Sequence, residues 1–240
     1  MKNLLIALVV LGLATAATAT LLVSDTFSYT GALTNNGWVA YSGADGTITS
    51  AGSVASVGSG AEDIRLVYAE QLASPVYAAL TLRVGTLPST GNEYCWGFSD
   101  GTSMQSRWGI VVEGGGTAFG IGTYGTGTAL GPTYSGLSLN TDYIIAYYFD
   151  GVNDHRLWIN PDGTDFSSPD LQTNAVPSPV GFDGVFIRQG GALDNGAASW
   201  TVDNVLVGTT YSDVVIPEPG TIALISIGLG MFLIRRFRRA

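Results

Sequence analysis

A chain of 240 residues with ten Lys and Arg against 19 Asp and Glu, one cysteine and one histidine excludes several functions before any motif is considered. Its acidity repels a nucleic-acid backbone, one thiol cannot form a disulfide framework within the chain, and one imidazole cannot build a histidine metal cluster. Lys2 and four arginines lie at the chain ends, so the stretch from Asp25 to Glu218 holds five arginines and all 19 acids, a net charge of −14 that favours solubility.

Met1-Lys2-Asn3 is a short basic start, Leu4 to Leu13 is an apolar run, and Ala17-Thr18-Ala19 is a small-x-small site. That order predicts a secretory signal peptide over residues 1–19, cut by signal peptidase after Ala19, with Ala14-Thr15-Ala16 as the neighbouring alternative. Removing both ends leaves roughly 200 residues, enough for one domain with a substantial core. Within it Cys95 is expected to be a small buried apolar residue.

From residue 20 to residue 213 the pattern is that of an antiparallel β-sandwich: short β-branched and aromatic runs between Gly, Asn, Asp, Ser and Pro clusters, with no convincing amphipathic helix. Val76 to Val84 alternates, placing Val76, Ala78, Leu80, Leu82 and Val84 on one face and Tyr77, Thr81 and Arg83 on the other. Similar strands are predicted at Ile64–Leu72, Tyr94–Phe98, Arg107–Val112, Ala118–Tyr124, Gly184–Gln189 and Ser199–Val207. Tyr143 to Phe149 is apolar on both faces, as a central strand would be, and the turn after it leads into Arg156–Asn160 as a hairpin. The Gly-rich pieces 43–60 and 114–131 read as loops.

Asp25-Thr-Phe-Ser-Tyr, the Tyr143–Phe149 strand with His155-Arg-Leu-Trp-Ile-Asn-Pro161, and Val202-Asp-Asn-Val-Leu-Val-Gly-Thr-Thr-Tyr-Ser-Asp213 together resemble the concanavalin A-like lectin/glucanase sandwich in its laminin-G-like form. The resemblance implies an all-β jelly roll with its first and last strands in one sheet. Retaining glucanases of that fold carry two glutamates with an aspartate between them on one strand, so that the carboxyls lie about 5 Å apart. Here Glu62, Glu70, Glu93, Glu113 and Glu218 stand isolated, and no catalytic residue is assigned. His155 reads as a solvated turn residue. Asp150, Asn153 and Asp154 share one loop and are oxygen-ligand candidates for calcium, although turns use the same residue types; no other cofactor is expected. Trp38, Tyr41, Trp96, Trp108, Tyr124, Trp158 and Trp200 offer flat faces of the kind that pack on sugar rings, and core packing is the competing use.

The chain ends with Pro217-Glu218-Pro219, an apolar run from Ile222 to Ile234, and Arg235, Arg236, Arg238 and Arg239. The run would span about 20 Å as a helix, short of the roughly 30 Å hydrocarbon core. The arginines after it snorkel to the interface and define a cytoplasmic end. The two prolines stop a helix from extending upstream. This order resembles the PEP-CTERM sorting signal of Gram-negative bacteria and covers residues 214–240, with the transmembrane helix at 221–234. The resemblance implies that an exosortase reads the tripeptide, that the precursor sits in the inner membrane with its body in the periplasm, and that the product reaches the cell surface or extracellular matrix. The leading expectation is an exported, non-catalytic sandwich with an adhesive or structural role. The alternatives are a lectin-like module that binds polysaccharide, and a glycoside hydrolase or lyase with an unrecognised site.

Overall fold

The computed structural model describes residues 21–215 apart from 44–45, 59, 73–74, 88–92, 102, 125–128, 163–165, 175–180 and 190–198. The signal segment with Ala17 and Ala19, the motif Pro217-Glu218-Pro219, the span 221–234 and the arginines Arg235, Arg236, Arg238 and Arg239 lie outside the described residues. No helix among the described residues is long and apolar enough to cross a membrane.

The architecture is an all-β sandwich of two antiparallel sheets. The nine-stranded sheet runs β14 (Leu171–Thr173), β13 (His155–Ile159), β12 (Asp142–Phe149), β7 (Val76–Thr86), β16 (Ser199–Gly208), β5 (Ala55–Val57), β4 (Thr49–Ala51) and β2 (Thr30–Ala32). Its ninth strand, β1 (Leu21–Asp25), also lies along β16. The seven-stranded sheet runs β11 (Ala129–Ser138), β10 (Ala118–Tyr124), β9 (Met104–Glu113), β8 (Glu93–Ser99), β15 (Phe182–Arg188), β6 (Asp63–Gln71) and β3 (Trp38–Ser42). First and last strands do share a sheet, since Ser24 pairs with Leu206 and Asp25 with Val205.

Alternation explains both layers. Val76, Ala78, Leu80, Leu82 and Val84 of β7 enter the main core, while Tyr77 and Ala79 join a second apolar cluster on the outer face of that sheet. There a four-residue helix, α1 (Tyr211–Val214), folds back over the strands with a reciprocal Thr210–Asp213 cap. Strand β12 is central, between β7 and β13. Its Ile145, Tyr147 and Phe149 face the main core, and Ala146 and Tyr148 face the outer cluster, which accounts for its apolar character on both sides.

The two Gly-rich pieces read as loops contain strands. Short β4 and β5 lie in 43–60, where Ala55 and Val57 are buried; in 114–131 the start of β11 follows β10, the strand predicted at Ala118–Tyr124. Strand β11 carries Gly131, Pro132 and Gly136 and has two register shifts against β10. It escapes alternation because it is an edge strand, where proline and bulges are tolerated.

Two carboxylates, the half-buried Asp25 and the buried Glu62, tie the first third of the chain together. Asp25 accepts hydrogen bonds from the Phe27 N–H, the Tyr29 hydroxyl and the Trp38 indole, each at 2.7 Å. Glu62, 1% exposed, accepts from the N–H groups of Gly46 (2.6 Å), Thr47 (2.8 Å) and Ile48 (2.5 Å) and from the Thr47 hydroxyl (2.9 Å). Removing this acceptor strands the buried Ile48 N–H and three part-buried donors, at about 1–3 kcal/mol for a buried group left unpaired. Glu62→Ala is therefore expected to lower the unfolding free energy by about 3 kcal/mol or more, measured by denaturant titration; a loss under about 0.5 kcal/mol, typical of surface sites, would remove Glu62 from this role.

Candidate functional site

The outer face of the seven-stranded sheet gathers polar groups from neighbouring strands. On β6, Ile64 and Leu66 enter the core, so Asp63 and Arg65 point the other way. On β15, Val185 and Ile187 enter the core, and Phe186 and Arg188 face outward. Strands β8 and β9 add Tyr94 and Arg107 through consecutive irregularities. Tyr94 pairs with Gly109, Trp96 with Trp108 and Phe98 with Gln105, so first β8 and then β9 carries an extra residue.

Such bulges re-aim side chains. Cys95 and Trp96 are consecutive and both fully buried, while Tyr94 lies edge-on over Phe186 at 6.1 Å. In β9, Ser106 takes φ 42 and points inward, where its hydroxyl is 2.8 Å from Nδ1 of His155. Arg107 then lies over the Tyr94 ring. Opposite the bulge, a Cβ on Gly97 would fall 2.4 Å from the Ser106 carbonyl oxygen, so the close approach requires glycine.

The result is an open groove of about 340 Å³ lined by Tyr41, Ser42, Asp63, Tyr94, Ser103, Met104, Arg107 and Arg188. The guanidinium carbons of Arg188 and Arg107 lie 4.1 and 4.7 Å from the Tyr94 ring centroid. Arg188 Nε meets Asp63 Oδ1 at 3.4 Å, and the Ser42 hydroxyl donates to Asp63 Oδ2 at 2.5 Å. Beside the groove, one nitrogen of Arg65 holds both oxygens of Asp183 at 3.1 Å. Burial pushes the Tyr41 phenol above its usual range, Asp100 pushes it further, and Arg65 opposes the shift.

Of the two uses open to the aromatic side chains, sugar stacking and core packing, core packing takes most of them. Trp38, Trp96, Trp108, Tyr124, Trp158 and Trp200 are all buried, with 3% exposure at most; Tyr41 alone of that set is half-buried and lines the groove. His155 is also not a solvated turn residue. It opens β13, two residues before the core residue Leu157, which puts it on the inner face, 1% exposed and stacked on Phe149 at 4.4 Å. Its contact with Ser106 is a sealed link between the sheets. Cys95 is the small core residue expected.

In the calcium-candidate loop the carboxylates meet protein donors. Asp150 Oδ1 accepts from the N–H groups of Val152, Asn153 and Asp154 at 2.7, 2.8 and 3.0 Å, a turn cap. Asp154 is 2.7 Å from Nη2 of Arg156 and accepts from Gln172 at 2.9 Å. Asn153 supplies its backbone N–H to the cap. No group of three or more His, Cys, Asp or Glu suited to a metal occurs among the described residues.

No protein-family model and no curated protein sequence matches the chain. Solved structures do resemble the fold. The CBM2 module of the Lactobacillus casei BL23 phage J-1 evolved Dit superposes with TM-score 0.51 at 10% identity, over 80% of this chain and 96% of that one. Cellulose induced protein Cip1 gives TM-score 0.50 at 13% identity, over 78% and 97%. A family 16 glycosyl hydrolase protein from Mycobacterium smegmatis gives 0.49 at 14% identity, over 78% and 100%. Another match, an HCR/D mutant, is longer, and this chain covers 39% of it. At these identities the likeness is one of fold alone.

Desolvation raises the Asp150 pKa, but the N–H groups of Asp154, Val152 and Asn153 outweigh it and hold the carboxyl below its ordinary 3.8. A depressed folded pKa stabilises above the unfolded pKa and is lost as pH falls through the folded one. Wild type should therefore exceed Asp150→Asn in melting temperature at neutral pH, with the gap closing below about pH 4. A gap independent of pH would remove the ionised carboxylate as its cause.

Proposed function

We propose that this protein is an exported, non-catalytic β-sandwich that binds polysaccharide through the outer face of its seven-stranded sheet. The observation that carries the reading is the groove around Tyr94, an open, polar surface on strands whose opposite faces are locked in the core. The fold likeness to a carbohydrate-binding module, the CBM2 module above, supports it. Within the groove Asp63 is engaged by Ser42 and Arg188, and beside it Asp183 is engaged by Arg65, an arrangement that suits binding rather than proton transfer.

The two ends supply the delivery route. The PEP-CTERM-like tail and the signal segment together fit an inner-membrane precursor with its body in the periplasm, handed by signal peptidase and an exosortase to the cell surface or matrix of a Gram-negative bacterium. Val214, which ends α1, and Val215, the last described residue, are buried on the outer face of the nine-stranded sheet. In a two-layer sandwich that is the side away from the groove.

Two measurements test the reading. The intact mass of the protein recovered from producing cells should lack residues 1–19; a full-length cytosolic product would end the export reading. Co-sedimentation with insoluble or cross-linked polysaccharides should retain the protein, and passage through every neutral and acidic matrix would end the binding reading.

A further inference from the structure

We infer that the apolar groove on the outer face of the nine-stranded sheet is the seat of the chain's own next residue, Ile216, so that the C-terminal tail leaves the body from one fixed point on that face. Polysaccharide binding, on the other sheet, is independent of it.

The groove has a volume of about 270 Å³ and is lined by Ala79, Thr81, Ile144, Pro161 and Leu206 together with Val214 and Val215. On the sheet these residues fall in rows. Tyr148 pairs with Tyr77, Ala146 with Ala79 and Ile144 with Thr81, and Leu206 pairs with Ala79 from the other side. Helix α1 crosses these rows in order: the Tyr211 ring at its start lies 6.3 Å from that of Tyr77, and Val214 and Val215 at its end share the apolar cluster of Ala79 and Leu206. The Thr81–Ile144 row comes next in that direction, and Ile216 is the next residue. Val215 is already extended, at φ −105 and ψ 96, and Pro217 disfavours the helical region for Ile216, so the chain advances in extended steps of about 3.3 Å per residue.

The groove calls for an apolar side chain. Ile144 is 45% exposed, while its backbone is satisfied: its N–H donates to Asn160 Oδ1 at 2.8 Å and its carbonyl accepts from the Asn160 N–H at 2.7 Å. Strand β12 lies between β7 and β13, so no strand can be added here, and an occupant is held by burial of apolar surface. Size decides which part of the tail that is. The apolar floor covers the rows of Ala79 and Thr81, about 7 Å along β7, and the row after them is the exposed Arg83–Asp142 ion pair. One isoleucine suits that length; the run from Ile222 to Ile234, about 20 Å as a helix, does not. With Ile216 seated, six residue steps lead to Ile222, so the apolar run begins within about 22 Å of the groove. Pro217-Glu218-Pro219 then starts at the surface of the body, and an enzyme reading that tripeptide would meet it beside the folded sheet rather than on a free linker.

The test uses the full chain, with residues 216–240 confirmed by intact mass and the buried Cys95 retained. Ile144→Cys/Ile216→Cys is oxidised at low protein concentration and its disulfides are mapped by peptide mass spectrometry. Val39→Cys/Ile216→Cys is the control, since Val39 is equally exposed, at 45%, on the seven-stranded sheet. A disulfide within the chain is expected for the first pair and not for the second, because a bridge needs Cα atoms within about 7 Å of each other. A second measurement is a cycle of melting temperatures. Ile144→Ser and Ile216→Ser should each lower the melting temperature by about 3 °C or more, and the double variant should lose clearly less than their sum, whereas Val39→Ser and Ile216→Ser should add. Ile144 and Val39 are surface positions, so these variants fold. The bridge and the coupling together support the seat. Additive losses at Ile144 and Ile216, absence of the bridge, or a bridge that joins two molecules and so makes a second copy the occupant, overturns it. None of these results bears on polysaccharide binding.

Discussion

Two sheets share one apolar layer, and filling it takes four of the five tryptophans, five of the nine phenylalanines and two of the eleven tyrosines. Trp96 and Trp200 meet there across the sandwich with ring centroids 6.2 Å apart, and Phe98 touches both Tyr147 and Phe182. A fully buried large ring contributes on the order of 1.5–3 kcal/mol. That demand outweighs display of aromatic rings on the surface. Whatever the outer faces recognise, they do so with the residues the core did not take, and on the seven-stranded sheet those are arginines, tyrosines and aspartates.

The acids divide between internal acceptors and surface charge. Asp25 and Glu62 act as internal acceptors: one gathers the first strand, Tyr29 and Trp38, and the other wraps the backbone of residues 46–48 around its carboxylate. Burial and the Asp25 hydrogen bond hold the Tyr29 phenol far above its usual range, so it remains a donor at any ordinary pH. Most of the others stay on the surface and supply the net charge.

The groove exists because of irregularity. Regular pairing of β8 with β9 would keep strict alternation, and the residues around Ser106 would project differently. The extra residue in each strand puts Cys95 and Trp96 into the core together, sends Ser106 inward to His155, and lets Tyr94 meet Arg107 outside. Gly97 permits this by leaving room for the Ser106 carbonyl. One local device therefore links the sealed Ser106–His155 contact to the surface beside it.

Period-two alternation is a local property, so the strands at 76–86, 118–124 and 142–149 and the sandwich class were legible from residues alone, as was the burial of Cys95. The pairing of first and last strands followed from the resemblance of the chain ends to a known sandwich and is observed. Edge strand β11, with its proline and glycines, and the three-residue strands β4 and β5 were not legible, because pairing partners and not their own patterns make them strands. Which ring, acid or arginine reaches the surface was equally hidden. His155 lies inside and not in solvent because register and bulges, which depend on distant strands, decide the face on which each side chain lies, and the same pairing gave the tryptophans to the core, one of the two uses open to them. Composition and alternation determined a secondary-structure class and a charge; tertiary pairing alone decided that Arg107 and Arg188 would stand together over one tyrosine, since no spacing along the chain encodes a contact between strands so far apart.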